Sequence, residues 1–177
     1  FITSRARKLD QSFLQTIVIL PIVVTGIAKG FWIRGAPVRR RREPVGARTY
    51  ELPSLSGKES AGIVLFLMEI EDPSPEVVQA VEAAVHWFAK TKMQGIQVEF
   101  YQTEQDLMDK RVVEDADAPA LWARFSDLKD NQPFFCDRDG LKKYRLDEIG
   151  HERRMGYGWY TDAPQEVLDR YQEWKSR

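Results

Sequence analysis

The chain has 177 residues, enough for one domain with a real core, and it is 43% hydrophobic and 30% charged, the balance of a soluble globular fold. Its net charge of -1 is uneven: residues 1–43 hold nine Lys/Arg and two Asp/Glu, leaving 17 basic and 25 acidic residues, a net of -8, for residues 44–177. An acidic body argues against nucleic-acid binding, and a single cysteine, Cys136, excludes an internal disulfide framework.

In chain order, residues 1–43 form a segment apart. Ser12 to Ile33 is strongly apolar, but Pro21, Gly26 and Lys29 interrupt it, and its apolar core is short of the roughly 20 residues of a membrane span. With "RARK" before it and Arg39 to Arg42 after it, the segment reads as a signal, an anchor or a frameshifted extension. A membrane role is not expected for the mature domain, residues 44–177.

Ser56 with Glu59 has capping-box spacing, which predicts a helix start. The following "AGIVLFLMEI" carries Ile63, Phe66, Leu67 and Ile70 at helical spacing and is apolar nearly all round, which predicts a buried helix. Ser74 and Pro75 restart the chain. Val77, Val81, Ala84, Val85 and Phe88 then mark an amphipathic helix. Beyond Gly95, "GIQVEFY" alternates as a strand, "TEQDLMDK" reads as exposed loop, and "RVVED" and "LWARFSD" as short strands. Asp139-Gly140 predicts a two-residue hairpin turn, with Asp137 opposite Lys142 and Phe135 opposite Tyr144. Tyr157, Trp159 and Tyr160 are expected to pack under that hairpin. A last helix directs Val167, Leu168, Tyr171 and Trp174 inward. The sum is a mainly α fold with a small antiparallel β element.

Three arginines are candidates for chemistry, because a guanidinium fork matches a carboxylate with two parallel hydrogen bonds and flanking aromatics can carry sugar rings. Arg124 lies in "LWARFSD", Arg138 beside the hairpin turn, and Arg48 ahead of the first helix. Spacing alone favours plain ion pairs: Arg138 with Asp137 or Asp139, Arg124 with Asp127, and Arg48 with Glu51. His151 with Glu148 or Glu152 could form an acid/base or metal pair, but His86 is not at ligand spacing to it. Asp115, Asp117, Asp137 and Asp139 could offer oxygens to calcium, although "DRDG" is better explained as a turn. Nothing in the spacing sets two carboxylates across one sugar, as a glycoside hydrolase requires.

Several stretches together, "ARTYELPSLSGKESAGIVLFLM", "PSPEVVQAVEAAVHWF", "RVVED", "WARFSDLKDNQPFFCDRDGLKKY" and "EIGHERRMGYGWY", resemble the C-terminal part of PelA-type pectate lyases, polysaccharide lyase family 10. The resemblance runs from about Ala47 to Lys175. It implies calcium-dependent β-elimination of polygalacturonate, the de-esterified backbone of pectin, on a partial α/α toroid of helical hairpins, short strands and long coils. It also implies a secreted or periplasmic monomer. By position, Arg48 matches the family's proposed catalytic base, and Arg124 and Arg138 match arginines that bind substrate carboxylates. An arginine base needs a cationic setting that lowers its high pKa. The segment expected just before Tyr50 is replaced by residues of the basic, apolar extension. The chain is therefore expected to be a fragment with the second half of a module, calcium ligands lying mainly in the other half and no metal ligand assigned here. Such a fragment would show little turnover alone, and a non-catalytic polyuronate-binding remnant is the alternative.

Overall fold

The computed structural model describes residue 46 and residues 48–177. Residues 1–45, with the apolar stretch and the Arg39 to Arg42 run, lie outside the described residues.

Ser56 starts helix α1 (Gly57–Met68) as its spacing predicts: the Ser56 side chain accepts from the Glu59 backbone N–H. The buried face differs from the expected one. Gly57, Ser60, Ala61, Val64, Leu67 and Met68 face inward, while Phe66 is exposed. An apolar run that continues all round cannot fix a helix's rotation, and the small residues Gly57, Ser60 and Ala61 set it by allowing close approach. Pro75 opens α2 (Pro75–Thr91), which buries Val77, Val81, Ala84 and Phe88 as expected. The last helix, α4 (Ala163–Lys175), buries Val167 and Trp174, with Leu168 and Tyr171 partly buried against the same core. These three helices pack on one another. Each fully buried aliphatic side chain contributes about 1.5–3 kcal/mol.

Among the described residues the remaining elements are six short strands, a 3-10 turn (Leu146–Glu148) and the short helix α3 (His151–Gly156). Strands β1 (Ile96–Gln102) and β2 (Met108–Glu114) form an antiparallel hairpin that pairs Val98 with Val112 and Phe100 with Lys110. β3 (Trp122–Ala123) pairs with β6 (Tyr160–Thr161), and β4 (Phe135–Cys136) with β5 (Lys142–Lys143). Part of "TEQDLMDK" is therefore strand rather than loop: Met108 to Lys110 belong to β2.

The expected hairpin register is corrected by one residue. Phe135 faces Lys143 and Cys136 faces Lys142, so residues 137–141 form the loop. Gly140 keeps the positive φ of 71° that an Asp-Gly turn asks for. Asp137 leaves the ladder because its carboxylate is engaged elsewhere, accepting from the Gly150 N–H at 2.5 Å and the Arg138 N–H at 2.7 Å.

The fold class is also corrected. About 39% of the described residues are helical and 21% are in strands and bridges, arranged as three two-stranded antiparallel sheets. This is a mixed α and β architecture, neither a mainly α fold nor a partial α/α toroid. The physical reason is a second core. Phe125, Phe134, Phe135, Leu146, Ile149 and Trp159 bury together away from the three long helices, carried by a strand, the 3-10 turn and coil. Trp122 links the two regions: it is buried in the helical core and its indole N–H donates to the Phe88 carbonyl at 2.8 Å.

Candidate functional site

The second core has a polar margin in which two of the three singled-out arginines, Arg48 and Arg124, come together through two tyrosines, and the third, Arg138, joins through Glu152. Arg124 follows β3 and its backbone N–H donates to the Trp159 carbonyl at 2.8 Å, which fixes its Cα beside the β6 strand. Its guanidinium carbon lies 4.6 Å from the centre of the Tyr157 ring. Tyr157 meets Tyr50 edge-on with centroids 5.7 Å apart. Arg153 covers Tyr50 at 4.4 Å, and Arg48 lies 5.5 Å from the same ring. Arg138 joins from the β4–β5 loop through Glu152, which it grips with Nε at 2.9 Å and Nη2 at 2.8 Å. Arg153 donates to the same carboxylate at 2.7 Å.

The partners chosen by spacing are corrected here. Arg124 pairs with Glu59 and not with Asp127, which binds Lys142. The guanidinium of Arg138 pairs with Glu152 and not with Asp137 or Asp139; Asp139 binds Lys143. Short-range spacing misses these pairs because the partners lie on other elements. Arg48 does pair with Glu51, at 3.3 Å.

Burial separates the arginines. The side chains of Arg48 and Arg138 are 52% and 67% exposed, whereas those of Arg124 and Arg153 are 19% and 12% exposed. Arg124 Nε and Arg153 Nε are both buried and without a hydrogen-bond partner. A buried, unpaired N–H is costly, which marks both groups as held in place by their surroundings.

Charge balance around the two tyrosines is four arginines to three carboxylates, Glu51, Glu59 and Glu152. The Tyr50 hydroxyl and the Glu51 carboxylate hold the Arg48 pKa above its ordinary value. That is opposite to the lowering expected from a cationic neighbourhood, because Arg48 meets an acceptor and an acid before it meets another cation. Hydrogen bonds from Arg138 and then Arg153 hold Glu152 down at about 2. Burial, with Glu51 adding to it and Arg124 opposing, pushes the Tyr157 phenol up to about 12. Tyr157 is therefore a neutral donor, and its hydroxyl donates a hydrogen bond to Glu51 Oε1 at 3.0 Å.

Sequence reasoning missed Tyr50, Glu59, Glu152 as an arginine ligand, and Arg153. It placed Tyr157 only as packing. The one legible signal was the density of Arg and aromatic residues in "EIGHERRMGYGWY". His151 does not pair with Glu148 or Glu152; its Nε2 lies 2.8 Å from the Met108 carbonyl. Among the described residues no group of three or more His, Cys, Asp or Glu side chains could hold a metal ion. The described residues thus offer calcium no cluster of three or more carboxylates.

A groove of about 410 Å³ is lined by Ile96, Val98, Phe100, Lys110, Leu121, Gly158 and Trp159 among others. Its walls are largely apolar, and none of the three predicted arginines lines it. Among the described residues no helix is long and apolar enough to cross a membrane.

A margin of arginine forks laid over tyrosine rings can bind carboxylates attached to ring-shaped molecules. Comparison with known proteins agrees with that chemistry. The chain matches a family 10 polysaccharide lyase from Cellvibrio cellulosa at 36% identity and a TM-score of 0.63, over 76% of this chain and 41% of that one. An aspartate-to-alanine variant of a family 10 lyase from the same organism, in complex with trigalacturonic acid, matches at 37% identity and a TM-score of 0.62, over 74% of this chain and 40% of that one. This chain thus spans about 40% of the length of the solved structures it matches. No curated protein matches it. Family comparison matches pectic acid lyase to residues 22–168, from inside the apolar segment to within α4. With most of its length matched and its arginine margin in the matched part, the chain belongs to the pectic acid lyase family, the family 10 polysaccharide lyases.

Proposed function

We propose that this chain supplies the carboxylate-binding wall of a pectate lyase, an enzyme that cleaves polygalacturonate by β-elimination. The observation that carries the reading is the convergence of Arg48, Arg124 and Arg153 on Tyr50 and Tyr157, with Arg138 joined to Arg153 through Glu152. The family membership and the trigalacturonic acid bound to the Cellvibrio variant support it.

In such a reaction a base removes the proton at C5 of a galacturonate unit. The electron pair forms the C4–C5 double bond, the C4–O bond breaks, and the departing oxygen takes a proton. Negative charge builds on the carboxylate beside C5, and groups that neutralise it lower the barrier. Arg124 and Arg138 fill that role in this proposal. Arg124 is fixed by Glu59 and the Tyr157 ring, and Arg138 offers an exposed two-pronged fork. Arg48 is the proposed base. It would have to leave Glu51 and the Tyr50 hydroxyl, both of which stabilise its charged form. Calcium belongs to the proposal as a cofactor of the whole enzyme, with its donors outside the described residues. A secreted or periplasmic location, where pectin is met, and a monomeric state complete the reading.

Binding without turnover is the second reading. It is favoured by the raised pKa of Arg48, since a guanidinium held in its charged form cannot take a proton.

One experiment separates the two. The protein is incubated with polygalacturonate, with and without calcium, and the ultraviolet absorbance of the unsaturated product is followed. Calcium-dependent product that Arg48→Ala abolishes supports the lyase. Retention on polygalacturonate without product, lost in Arg124→Ala and Arg138→Ala, supports binding alone. Neither product nor retention overturns both.

A further inference from the structure

Glu152 stands out among the carboxylates of the site. Glu51 is buried and accepts from the Tyr157 hydroxyl and the Arg48 backbone N–H. Glu59 is held by Ser56 and Arg124 at the start of α1. Both are built into the fold. Glu152 is 60% exposed, sits on the short helix α3, and makes its side-chain contacts only to arginine: both prongs of Arg138, and Arg153. Arg138 is itself 67% exposed.

Two parallel N–H···O bonds to one carboxylate are the arrangement a uronate would make with the same fork. We propose that Glu152 is an internal stand-in for a substrate carboxylate: it occupies the Arg138 fork in the free protein and yields it to a galacturonate carboxylate. The inference rests on the carboxylate-binding reading above and adds to it a residue that sets affinity. Exchange is feasible because an exposed ion pair contributes little to stability and is screened by salt. A polygalacturonate carboxylate brings sugar contacts with it that Glu152 lacks. When Glu152 turns away, Arg153 also loses the acceptor it shares with Arg138, while its place over Tyr50 keeps it oriented. The fork released is then backed by a second guanidinium.

The test is calorimetric titration of the full chain with trigalacturonate and with its fully methyl-esterified analogue, which has no charge. Glu152→Gln removes the competing charge at an exposed position, and circular dichroism checks that its fold is unchanged. The expected result is trigalacturonate binding about two- to fivefold tighter, the scale of one exposed ion pair, with the neutral analogue unaffected. The gain should shrink in the Arg138→Ala background. A gain of equal size in that background would assign it to general relief of negative charge and overturn the exchange. Unchanged or weaker binding by Glu152→Gln, with Arg138→Ala still weakening it, would overturn the inference and leave the carboxylate-binding reading standing. Absence of binding by every variant would overturn both.

Discussion

The Arg124 guanidinium rests 4.6 Å from the centre of the Tyr157 ring, and the Tyr157 hydroxyl donates to Glu51 at 3.0 Å. One tyrosine thus serves two neighbours: its face orients a cation and its edge satisfies a buried acid. The two services come apart by substitution. Tyr157→Phe keeps the face. It should preserve trigalacturonate binding while lowering stability by about 1–2 kcal/mol, since Glu51 loses a donor. Tyr157→Leu removes the face as well. It should weaken binding about two- to fivefold, a cation–π contribution of ~0.5–1 kcal/mol. Titration calorimetry and urea unfolding read the two effects separately. Equal binding by the Phe and Leu variants would show that the ring does not position Arg124.

Helix α1 offers two glycines with opposite expectations. A Cβ on Gly57 would lie 2.8 Å from the Ala123 carbonyl oxygen and 3.1 Å from the Trp122 Cβ. The carbonyl is backbone and cannot step aside, so Gly57→Ala should destabilise the protein by ~1–3 kcal/mol despite the better helix propensity of alanine. A Cβ on Gly62 would meet nothing within 4 Å, and the position is exposed. Gly62→Ala should therefore stabilise by ~0.5–1 kcal/mol. Thermal unfolding of the two variants checks the pair, and shifts of the same sign would contradict the packing described for Gly57.

The same helix shows what the sequence makes legible. Ser56 and Glu59 locate its start because capping is local chemistry between residues three apart. The buried face of α2 is legible because its pattern has a polar side, and Val77, Val81 and Phe88 have only one way to turn. The rotation of α1 is not legible, since Phe66 and Leu67 are equally apolar and contacts with α4 and β3 decide between them. Motif and chemistry single out Arg124 and Arg138 as candidates, but spacing does not reach their ion-pair partners, Glu59 and Glu152. Glu59 is 65 residues from Arg124, and Tyr157 is 106 from Glu51. The shift of the β4–β5 register has the same origin. Asp137 prefers the distant Gly150 N–H to its place in the ladder, which no reading of the turn alone would reveal.

Cys136 lies fully buried in β4, with Sγ 3.4 Å from the Asp137 carbonyl oxygen. Burial foremost, with Asp139 adding to it, pushes its thiol up from the ordinary value. The thiolate is the reactive form, so the native thiol should resist an aromatic disulfide reagent at pH 8. Modification should become complete on unfolding, and its rate in urea should track opening of the aromatic core. Fast native-state labelling would mean that β4 separates from its neighbours without global unfolding.

Asp109 and Arg154 bind the β1–β2 hairpin to α3 through two contacts, Nε to Oδ1 at 2.7 Å and Nη2 to Oδ2 at 2.6 Å. The Asp109 side chain is only 6% exposed. The hydrogen bond from Arg154 is the largest influence on it, and its pKa falls from 3.8 to about 2. A lowered carboxylate pKa means the unfolded chain binds the proton more readily than the folded one. The stabilisation is thus complete above about pH 4 and is lost as pH falls from there through about 2. Its size is about 2 kcal/mol. Asp109→Asn leaves Arg154 without its counter-charge and should cost ~3–5 kcal/mol at pH 7, as for other broken buried pairs. The gap between wild type and variant should hold from pH 7 to 5 and narrow by about 2 kcal/mol between pH 4 and 2. Urea unfolding at each pH measures it. A gap that stays constant to pH 2 would mean that Asp109 is not held in its charged form by Arg154.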